Sequence, residues 1–522
     1  MKNLVALATL AALAPLVSAC GPEAPPPRAA DRVALPAPAP PPPPPDPLGP
    51  MPVTAAAPAF VPPVPEVFTT KNGLTVWLLE RHTLPYVAIT ATVPTGASSD
   101  PKGGGGLAWI SADMLDEGAG TRGAIELSRA VDSLGATLET NANVDESRVS
   151  LAVLKKNLAP AFSIFSDVIA RPRFDAGEWK RVHDIVVNEL TERQSDPDEV
   201  AKVVQRAVLY GPDHPYGHPV EGTLASAKTW SLGAAKSFHA TAWRPDRAIL
   251  VAVGDVTRAE LTALIESPAG LATWKAPKTP MPAPLAPAAP TGPWPKLVLV
   301  DRPDAPQSVI SLVRPGMAAS DPTAPVVTRA NVALGPLFTS RLNQDLREEH
   351  GYTYGASSRL GTTRGVGAFV ASAAVVLDKT PDALKAMLGD IDAYARQGLT
   401  DAEVDKTRTQ SRAELVDTFE GVDRAAAQLA LDASLGLGPS FQRTSATRKA
   451  EAQKAELDAM ARLHFDPSTG IVVVVGPRAK LEAPLYALGY TDIQLRDTEG
   501  KIVAASTALQ LQLTTPPARA KK

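Results

Sequence analysis

The sequence is poor in cysteine, in aromatic residues and in net charge, and each shortage argues against a class of protein. A single cysteine, Cys20, among 522 residues excludes a disulfide within the chain. Aromatic residues make up only 5% of the chain, which argues against a carbohydrate-binding platform built on ring stacking. A net charge of −3 argues against a nucleic-acid-binding protein driven by bulk charge, and a hydrophobic content of 44% argues against a wholly disordered chain. We therefore expect a soluble, core-forming protein with no nucleic-acid partner.

Long apolar runs are also absent, apart from residues 4–17 near the start of the sequence. That run follows a lysine and is shorter than the ~20 residues of a membrane-spanning helix, so it predicts an export signal. Residues 17–20 resemble the lipobox at which bacterial lipoproteins are cleaved and acylated on cysteine. We expect residues 1–20 to be a lipoprotein signal peptide, with Cys20 holding the body in the cell envelope, in the periplasm. The alternative is a buried thiol behind an ordinary signal peptide.

Proline, in contrast, is abundant: 52 of 522 residues, about twice the usual frequency of ~5%. The excess lies in a few Pro/Ala-rich stretches, which cannot bury enough apolar area to fold. Residues 21–64 are therefore predicted to be an extended tether, and residues 267–295 a linker between two domains. The remaining boundaries place one domain at 65–266, a second at 296–499 and a tail at 500–522.

Two stretches of the sequence recur at nearly the same offset. Residues 85–101 resemble residues 306–322 at an offset of 221 positions, and residues 245–254 resemble residues 467–476 at an offset of 222 positions. Two widely separated matches that share an offset to within one residue indicate a tandem duplication. The two domains are therefore expected to be homologous copies of one fold, called below the first copy and the second copy.

Each copy begins with strand patterns and continues with helical ones. The dipeptide Asn72-Gly73 is a strong hairpin signal between two short strand patterns. Apolar residues at helical spacing predict helices over 107–115, 125–134, 158–169 and 175–193, and a closing strand follows at 248–253. This mixture predicts an α+β fold: two tandem homologous domains, each a mostly antiparallel sheet covered by helices.

Several short motifs together carry a resemblance to a known family. They are residues 71–76, 106–108, 214–219, 222–223 and 340–349. Over residues 65–495, the sequence resembles the pitrilysin, insulinase and mitochondrial processing peptidase group of zinc metallopeptidases, also called inverzincins. In the two-chain branch of that family, one subunit carries the zinc motif and a similar subunit contributes substrate-binding residues. The resemblance implies the second, non-catalytic kind of subunit.

The family's zinc motif, His-x-x-Glu-His on a helix after Gly-Leu-Ala, is degenerate in this sequence. The resemblance places Trp109 and Asp113 at the histidine positions and Ala112 at the general-base position. An indole N–H can only donate, and alanine has no group that accepts a proton. Glu189 matches the family's distal glutamate, although a solvated helix carboxylate is the simpler interpretation. A catalytic zinc needs three protein ligands, so we expect no cofactor in this chain and a zinc ion in its partner.

The seven histidines of the sequence do not suggest another metal site. His214 and His218 are four positions apart, but Pro215, Gly217 and Pro219 prevent a helix that would place both rings on one face. The segment resembles a structural loop of the family, and metal binding there is the weaker alternative.

The second copy retains a different pair of residues. Residues 342–350 predict the end of a helix capped by Gly351, and a strand follows. The resemblance matches Arg347 and Tyr354 to the arginine and tyrosine with which the family's non-catalytic part binds the substrate backbone near the scissile bond. A guanidinium and a phenol can both donate to a carbonyl that becomes an oxyanion. Tyr352 is expected in the core, and a structural role for Arg347 and Tyr354 is the alternative.

These observations lead to two main hypotheses from different classes. The first is an exported, lipid-anchored, non-catalytic subunit that pairs with a zinc-bearing homologous subunit and helps bind its peptide substrates. The second is a peptide-binding or scaffolding lipoprotein with no associated hydrolysis. A third, an autonomous protease with an altered site, lacks a recognisable nucleophile, because Ser111 has no histidine near it in the sequence.

Overall fold

The structure is a computed structural model that describes residues 60–280 and 283–507. The predicted signal peptide, Cys20 and the tether up to residue 59 lie outside the described residues. Among the residues it does describe, no helix is both long and apolar enough to cross a membrane.

The first copy runs from strands into helices and closes with a strand. Its strands are β1 Glu66–Thr69, β2 Thr75–Glu80, β3 Tyr86–Val93, β4 Gly118–Ala119, β5 Arg122–Gly123, β6 Thr137–Ala142, β7 Ser147–Leu154 and β8 Ile249–Gly254. Its helices are α1 Leu107–Asp113, α2 Ala124–Ser133, α3 Leu158–Ala170, α4 Ala176–Arg193, α5 Pro197–Tyr210, α6 Leu224–Ala227, α7 Leu232–Ala242 and α8 Arg258–Ile265. The helices predicted from apolar spacing and the closing strand are confirmed as α1 to α4 and β8.

The second copy has a similar order of elements. Its strands are β9 Leu297–Asp301, β10 Gln307–Pro315, β11 Thr353–Leu360, β12 Ala368–Val376, β13 Ile471–Gly476, β14 Asp492–Arg496 and β15 Ile502–Thr507. Its helices are α9 Ala324–Leu334, α10 Arg341–Asn343, α11 Thr380–Gln397, α12 Asp401–Glu420, α13 Val422–Ser434, α14 Phe441–Glu451, α15 Lys454–His464 and α16 Arg478–Ala487. A π-helical segment, Gln344–Glu349, continues α10 toward β11.

The two main sheets follow one plan. The first has the strand order β1-β2-β8-β3-β7-β6, and the second has the order β11-β12-β10-β13-β9-β14-β15. Read in opposite directions, β2, β8, β3, β7 and β6 correspond to β9, β13, β10, β12 and β11. In both sheets most neighbours are antiparallel, and β2 with β8 and β9 with β13 are matching parallel pairs. The predicted duplication and the mostly antiparallel α+β fold are thus confirmed.

The two sheets differ at one edge. In the first copy, β1 forms a hairpin with β2, closed at Gly73, whose φ of +89° lies in the region that favours glycine. In the second copy, the corresponding edge is taken by β14, which comes from the far end of the chain and pairs parallel to β9. Strand β15 then pairs with β14, so residues 502–507, within the segment assigned to the tail, extend the second sheet.

Each sheet packs one face on helices of its own copy and the other face on a helix of the other copy. In β8, Leu250 and Ala252 belong to the first core, whereas Val251 and Val253 pack against α13 of the second copy. Both faces of β8 are therefore buried, which explains why its sequence is a continuous apolar run rather than an alternation of apolar and polar residues. Strand β13 does the same, with Val473 and Val475 packed against α5 of the first copy.

A buried polar group also joins the two copies. The carboxylate of Asp145, in the loop between β6 and β7, accepts hydrogen bonds from the Tyr216 hydroxyl at 2.9 Å and from the backbone N–H of Arg364 at 2.7 Å. The Arg364 guanidinium donates to the carbonyls of Asp145 at 3.0 Å and Ser434 at 2.7 Å. Because Asp145 is 4% exposed and Tyr216 is 1% exposed, these bonds are shielded from water.

Candidate functional site

Helix α1 carries the degenerate motif, and two residues fix where it begins. Gly106 precedes the helix with a φ of +95°, and a Cβ there would meet the Trp230 ring at 2.3 Å. The Asp100 carboxylate accepts the N–H groups of Gly106 and Ala108 at 2.7 and 2.8 Å. Free N–H groups at the start of the helix are therefore satisfied by a side chain, although no residue of the first helical turn is acidic.

The structure places Trp109, Asp113 and Glu189, the positions matched through the family resemblance, around two adjoining cavities. Glu189 on α4 borders two adjoining cavities, one of about 410 Å³ that Trp109 also lines and one of about 380 Å³ that Asp113 also lines. Ala112 is buried among small apolar side chains. Trp109 and Asp113 therefore each share a cavity with Glu189, whereas Ala112 lines neither of the two.

The cavity beside Asp113 is rich in carboxyl groups. Its lining includes the carboxyl groups of Asp113, Asp116, Glu117, Glu139 and Glu189. Arg181, which pairs with Glu117, is the basic side chain among the lining residues. Burial, together with the smaller effect of the nearby charges of Asp116 and Glu189, raises the pKa of Asp113 to about 7. Burial also raises the pKa of Asp116 to about 6. Near neutral pH the cavity therefore holds less negative charge than its composition suggests.

The residues at the motif positions do not fit a zinc ion. Trp109 offers a donor and Ala112 a methyl group, so only the carboxyl oxygens of Asp113 and Glu189 could bind a metal, and burial favours the protonated form of Asp113. No set of three or more His, Cys, Asp or Glu side chains in the described part of the chain is arranged to hold a metal ion. Glu189 is exposed and makes no hydrogen bond or ion pair with another described residue, which agrees with a solvated helix carboxylate.

The loop with His214 and His218 makes structural contacts. The Nδ1 atom of His214 accepts the N–H of Tyr216 at 3.0 Å, and its Nε2 atom lies 2.9 Å from the carbonyl oxygen of Ala288. The Nδ1 atom of His218 lies 3.0 Å from the carbonyl oxygen of Pro219, and burial lowers the pKa of this ring. The loop positions the Tyr216 hydroxyl to donate to the buried Asp145 carboxylate, so it helps to join the two copies.

Arg347 and Tyr354 lie on the surface at one helix-to-strand junction of the second copy. Arg347 lies in the π-helical segment, where its guanidinium stacks over the exposed Phe338 ring at 4.8 Å from the centroid. Tyr354 is 90% exposed on β11, beside an irregularity in the pairing with β12, and its hydroxyl has no hydrogen-bond partner among the described residues. No hydrogen bond or ring contact between described atoms joins the two side chains.

The local fold explains why these two side chains are exposed. Leu342 and Leu346 are fully buried, as the helical pattern predicted, so Arg347 is turned away from the core. The predicted cap is confirmed: Gly351 has a φ of +65°, and its N–H donates to the Arg347 carbonyl at 3.1 Å. Tyr352 is partly buried against the second core and stacks on His350, which agrees with its expected place.

A third cavity, of about 560 Å³, lies between the two copies and was not anticipated from the sequence. It is lined by α5 of the first copy and by β10, β11 and β12 of the second. Arg193 and Glu221 line both this cavity and the one beside Trp109, so the two adjoin. The sequence feature that could have indicated this cavity is the spacing of Lys202, Arg206 and Tyr210, which fall on one face of α5.

Comparisons with known proteins give a consistent result. A family model described as insulinase (peptidase family M16) matches residues 75–215, and a model described as peptidase M16 inactive domain matches residues 229–411. Together the two matches cover more than half of the chain. An uncharacterized zinc protease of Mycobacterium tuberculosis is 28% identical over 357 residues, covering 67% of this chain and 80% of that protein. A protein of Helicobacter pylori named as a non-peptidase homolog is 24% identical over 177 residues, covering 34% of this chain and 41% of that protein.

Solved structures show the same fold at low sequence identity. The crystal structure of a peptidase M16 inactive domain from Pseudomonas fluorescens matches with a TM-score of 0.73 and 24% identity, covering 79% of this chain and 98% of that chain. The crystal structure of a protease from Helicobacter pylori matches with a TM-score of 0.72 and 17% identity, covering 79% of this chain and 100% of that chain. At these identities the similarity establishes the two-copy architecture.

Proposed function

Because the chain belongs to the M16 (insulinase) peptidase family and is an inactive homologue of its peptidases, we propose that it is a non-catalytic subunit of a zinc peptidase heterodimer. In this proposal a homologous subunit supplies the zinc ion, and this chain supplies Arg347 and Tyr354 to the peptide substrate. The observation that carries the proposal is the contrast between the two sites. Trp109 and Ala112 offer neither a metal ligand nor a proton acceptor, and Asp113 is the one carboxyl at the three motif positions. Tyr354, in contrast, keeps an exposed hydroxyl with no partner among the described residues.

The chemistry of Arg347 and Tyr354 suits a substrate carbonyl at a partner's zinc. A guanidinium and a phenol are a charged donor and a neutral donor, and both bind an oxyanion more strongly than a neutral carbonyl. Arg347 is held by the Phe338 ring and lies 3.4 Å from the Glu348 carboxylate through Nε, so its other N–H groups remain available. Both side chains could therefore donate without breaking a bond within this subunit.

The experiment is steady-state kinetics on the reconstituted pair of subunits. Arg347→Ala and Tyr354→Phe should each lower turnover by ~30- to 1000-fold, which corresponds to the ~2–4 kcal/mol lost when an oxyanion donor is removed. Both variants should still assemble with the partner, because neither side chain supplies the bulk of an interface. Tyr352→Phe is the matched control and should leave turnover unchanged. Wild-type turnover in both test variants would mean that the pair is structural.

The alternative function is peptide binding or scaffolding without hydrolysis. The observation that favours it is the set of adjoining cavities around Glu189, which can receive a peptide whether or not a zinc-bearing partner exists. Identification of chains that co-purify with this protein from native membranes separates the two functions. A homologue with an intact zinc motif supports the heterodimer, and its absence supports the scaffold.

The proposed location is the periplasmic side of a bacterial membrane, with the body anchored through lipid on Cys20. The sequence supports it through the export signal that ends at the single cysteine. Cys20→Ala should release the protein into the soluble fraction on cell fractionation. Retention of that variant with membranes would contradict the lipid anchor.

A further inference from the structure

The cavity between the two copies carries more positive charge than its own anions can balance. Its charged side chains are four cations and two anions: Arg193, Lys202, Arg206, Arg359, Glu199 and Glu221. Both anions are already paired. Lys202 pairs with Glu199, and Arg193 lies 3.5 Å from Glu221.

Two guanidinium groups remain without a counter-ion, one from each copy. Arg206 lies on α5 and Arg359 on β11, and neither makes a hydrogen bond or ion pair with any other residue that the structure describes. Burial lowers the pKa of Arg206, Tyr210 raises it, and the nearby charge of Arg359 adds a smaller lowering. Glu221 acts in the opposite direction but is shared with Arg193. Arg206 is half-buried and Arg359 is exposed. Two like charges that share a cavity without a counter-ion repel each other, and an anion bound between the two guanidinium groups would relieve that repulsion.

The remaining walls of the cavity suit an organic anion better than a small inorganic one. Val203 and the ring of Tyr210 from the first copy face Val313 and Val370 from the second, so apolar surface surrounds the charged groups. A guanidinium binds a carboxylate through two parallel N–H donors, and the volume of about 560 Å³ is ample for a peptide residue.

We propose that Arg206 and Arg359 form a carboxylate-binding subsite, which takes an acidic residue or the C-terminal carboxylate of a bound peptide. The subsite adjoins the cavity beside Trp109, so a peptide that enters there can extend between the two copies. This inference rests on the proposed function for the peptide nature of the ligand. It does not require a zinc-bearing partner, because both arginines belong to this chain.

The test is calorimetric titration of the full chain, without a partner, with three alanine-based pentapeptides. One is capped at both ends and carries a central glutamate, one carries glutamine instead, and one carries glutamine with a free C-terminal carboxylate. At least one carboxylate peptide should bind ~10-fold or more tightly than the capped glutamine peptide, and Arg206→Gln and Arg359→Gln should each remove that preference. The better of the two carboxylate peptides identifies the source of the anion.

The controls separate binding from folding. Arg129→Gln, on the exposed face of α2, should leave the titration unchanged. Arg206→Gln should not lower the midpoint of thermal unfolding, because it removes an unpaired cation, and Arg359→Gln tests the site from an exposed strand position. Equal binding of all three peptides, retained preference in both variants, or tighter binding of inorganic phosphate than of either carboxylate peptide would overturn the proposal. Failure here would leave the Arg347 and Tyr354 kinetics intact as a separate test of the heterodimer.

Discussion

Helix α1 follows strand β3 in the first copy, and helix α9 follows strand β10 in the second. Trp109 on α1 is half-buried and faces a cavity, whereas α9 is covered and carries Arg329 with 0% exposure. The Arg329 guanidinium donates to the carbonyls of Ala452 at 3.0 Å, Val404 at 2.8 Å and Lys449. Corresponding helices of the two copies thus line an open site in one case and fill a core in the other.

The segment between α5 and α7 in the first copy, and between α13 and α15 in the second, accounts for this difference. In the first copy, a loop with His214 and the short helix α6 connects α5 to α7, and the surface of α1 near Glu189 stays open. In the second copy, helix α14 connects α13 to α15 and packs on α9, and its C-terminal carbonyls receive Arg329. Because α14 covers α9, a zinc site like that of the family cannot form on α9, whatever residues α9 carries.

The largest expected effect is the loss of Arg329. Arg329→Ala should lower the free energy of unfolding by about 3–5 kcal/mol, because it leaves a cavity and several buried carbonyls without donors. Trp109→Ala, at the half-buried site on α1, should cost only about 1 kcal/mol. Urea denaturation of both variants measures the difference, and equal losses would mean that α1 is as tightly packed as α9.

The next largest loss of stability is expected from side-chain truncations on α5 and α13, the two helices that pack on the sheet of the other copy. Leu209 on α5 and Leu429 on α13 are each 1% exposed and face the sheet of the other copy. Leu209→Ala and Leu429→Ala should each lower the free energy of unfolding by about 2–4 kcal/mol, since both leave a cavity in a packed interface. A loss confined to one variant in urea denaturation would show that only one of the two crossings is tightly packed.

A smaller loss is expected at the polar contact between the copies. Asp145→Asn replaces a carboxylate that accepts from Ser98, Tyr216 and Arg364 with an amide whose nitrogen cannot accept. At least one buried donor is left unsatisfied, at a cost of about 1–3 kcal/mol. Lys180→Ala, which breaks an exposed ion pair with Asp184, is the control and should change the urea midpoint little. Equal losses of stability in Asp145→Asn and Lys180→Ala would show that the polar contact is not shielded from water.

The smallest effect concerns pH and the carboxyl groups around Asp113. The pKa of Asp113 is raised from 3.8 to about 7 in the folded protein, so the folded state retains a proton that the unfolded state loses. Stability should therefore fall as pH rises from about 4 to 7. Asp113→Asn should remove about 1–2 kcal/mol of that fall, a value reduced for partial exposure and coupling to Asp116. Urea midpoints at pH 5 and pH 8 test it, with the exposed Asp184→Asn as control, and an unchanged pH dependence would contradict the raised pKa.

Much of the fold and part of the site could be predicted from the sequence because their signals do not depend on which distant segments come into contact. The dipeptide Asn72-Gly73 specifies a turn, apolar spacing specifies α1 to α4, and the repeat offset identifies the duplication. The resemblance places the motif on the helix that follows Gly106, and donor chemistry then shows that Trp109 and Ala112 cannot serve a zinc ion.

The features that were missed depend on contacts between distant segments. Val473 and Val475 read as a buried strand, but nothing in β13 indicates that α5 covers them. Strand β14 joins the edge of its sheet from the end of the chain, where local pattern gives no pairing partner. The cavity with Arg206 and Arg359 arises only when α5 meets the second sheet, so its unpaired charges are not evident from either segment alone.

The reciprocal packing of α5 and α13 has a consequence for how such a chain can change. Two copies that cover each other's sheets have the geometry of a domain-swapped dimer whose subunits have been joined end to end. Joining makes the association intramolecular, so each copy meets its partner at a fixed effective concentration that does not depend on expression. The residues of the zinc motif lie outside both exchanged helices. Changes at the motif can therefore occur without weakening the association between the two copies, and the fold can persist without a metal site.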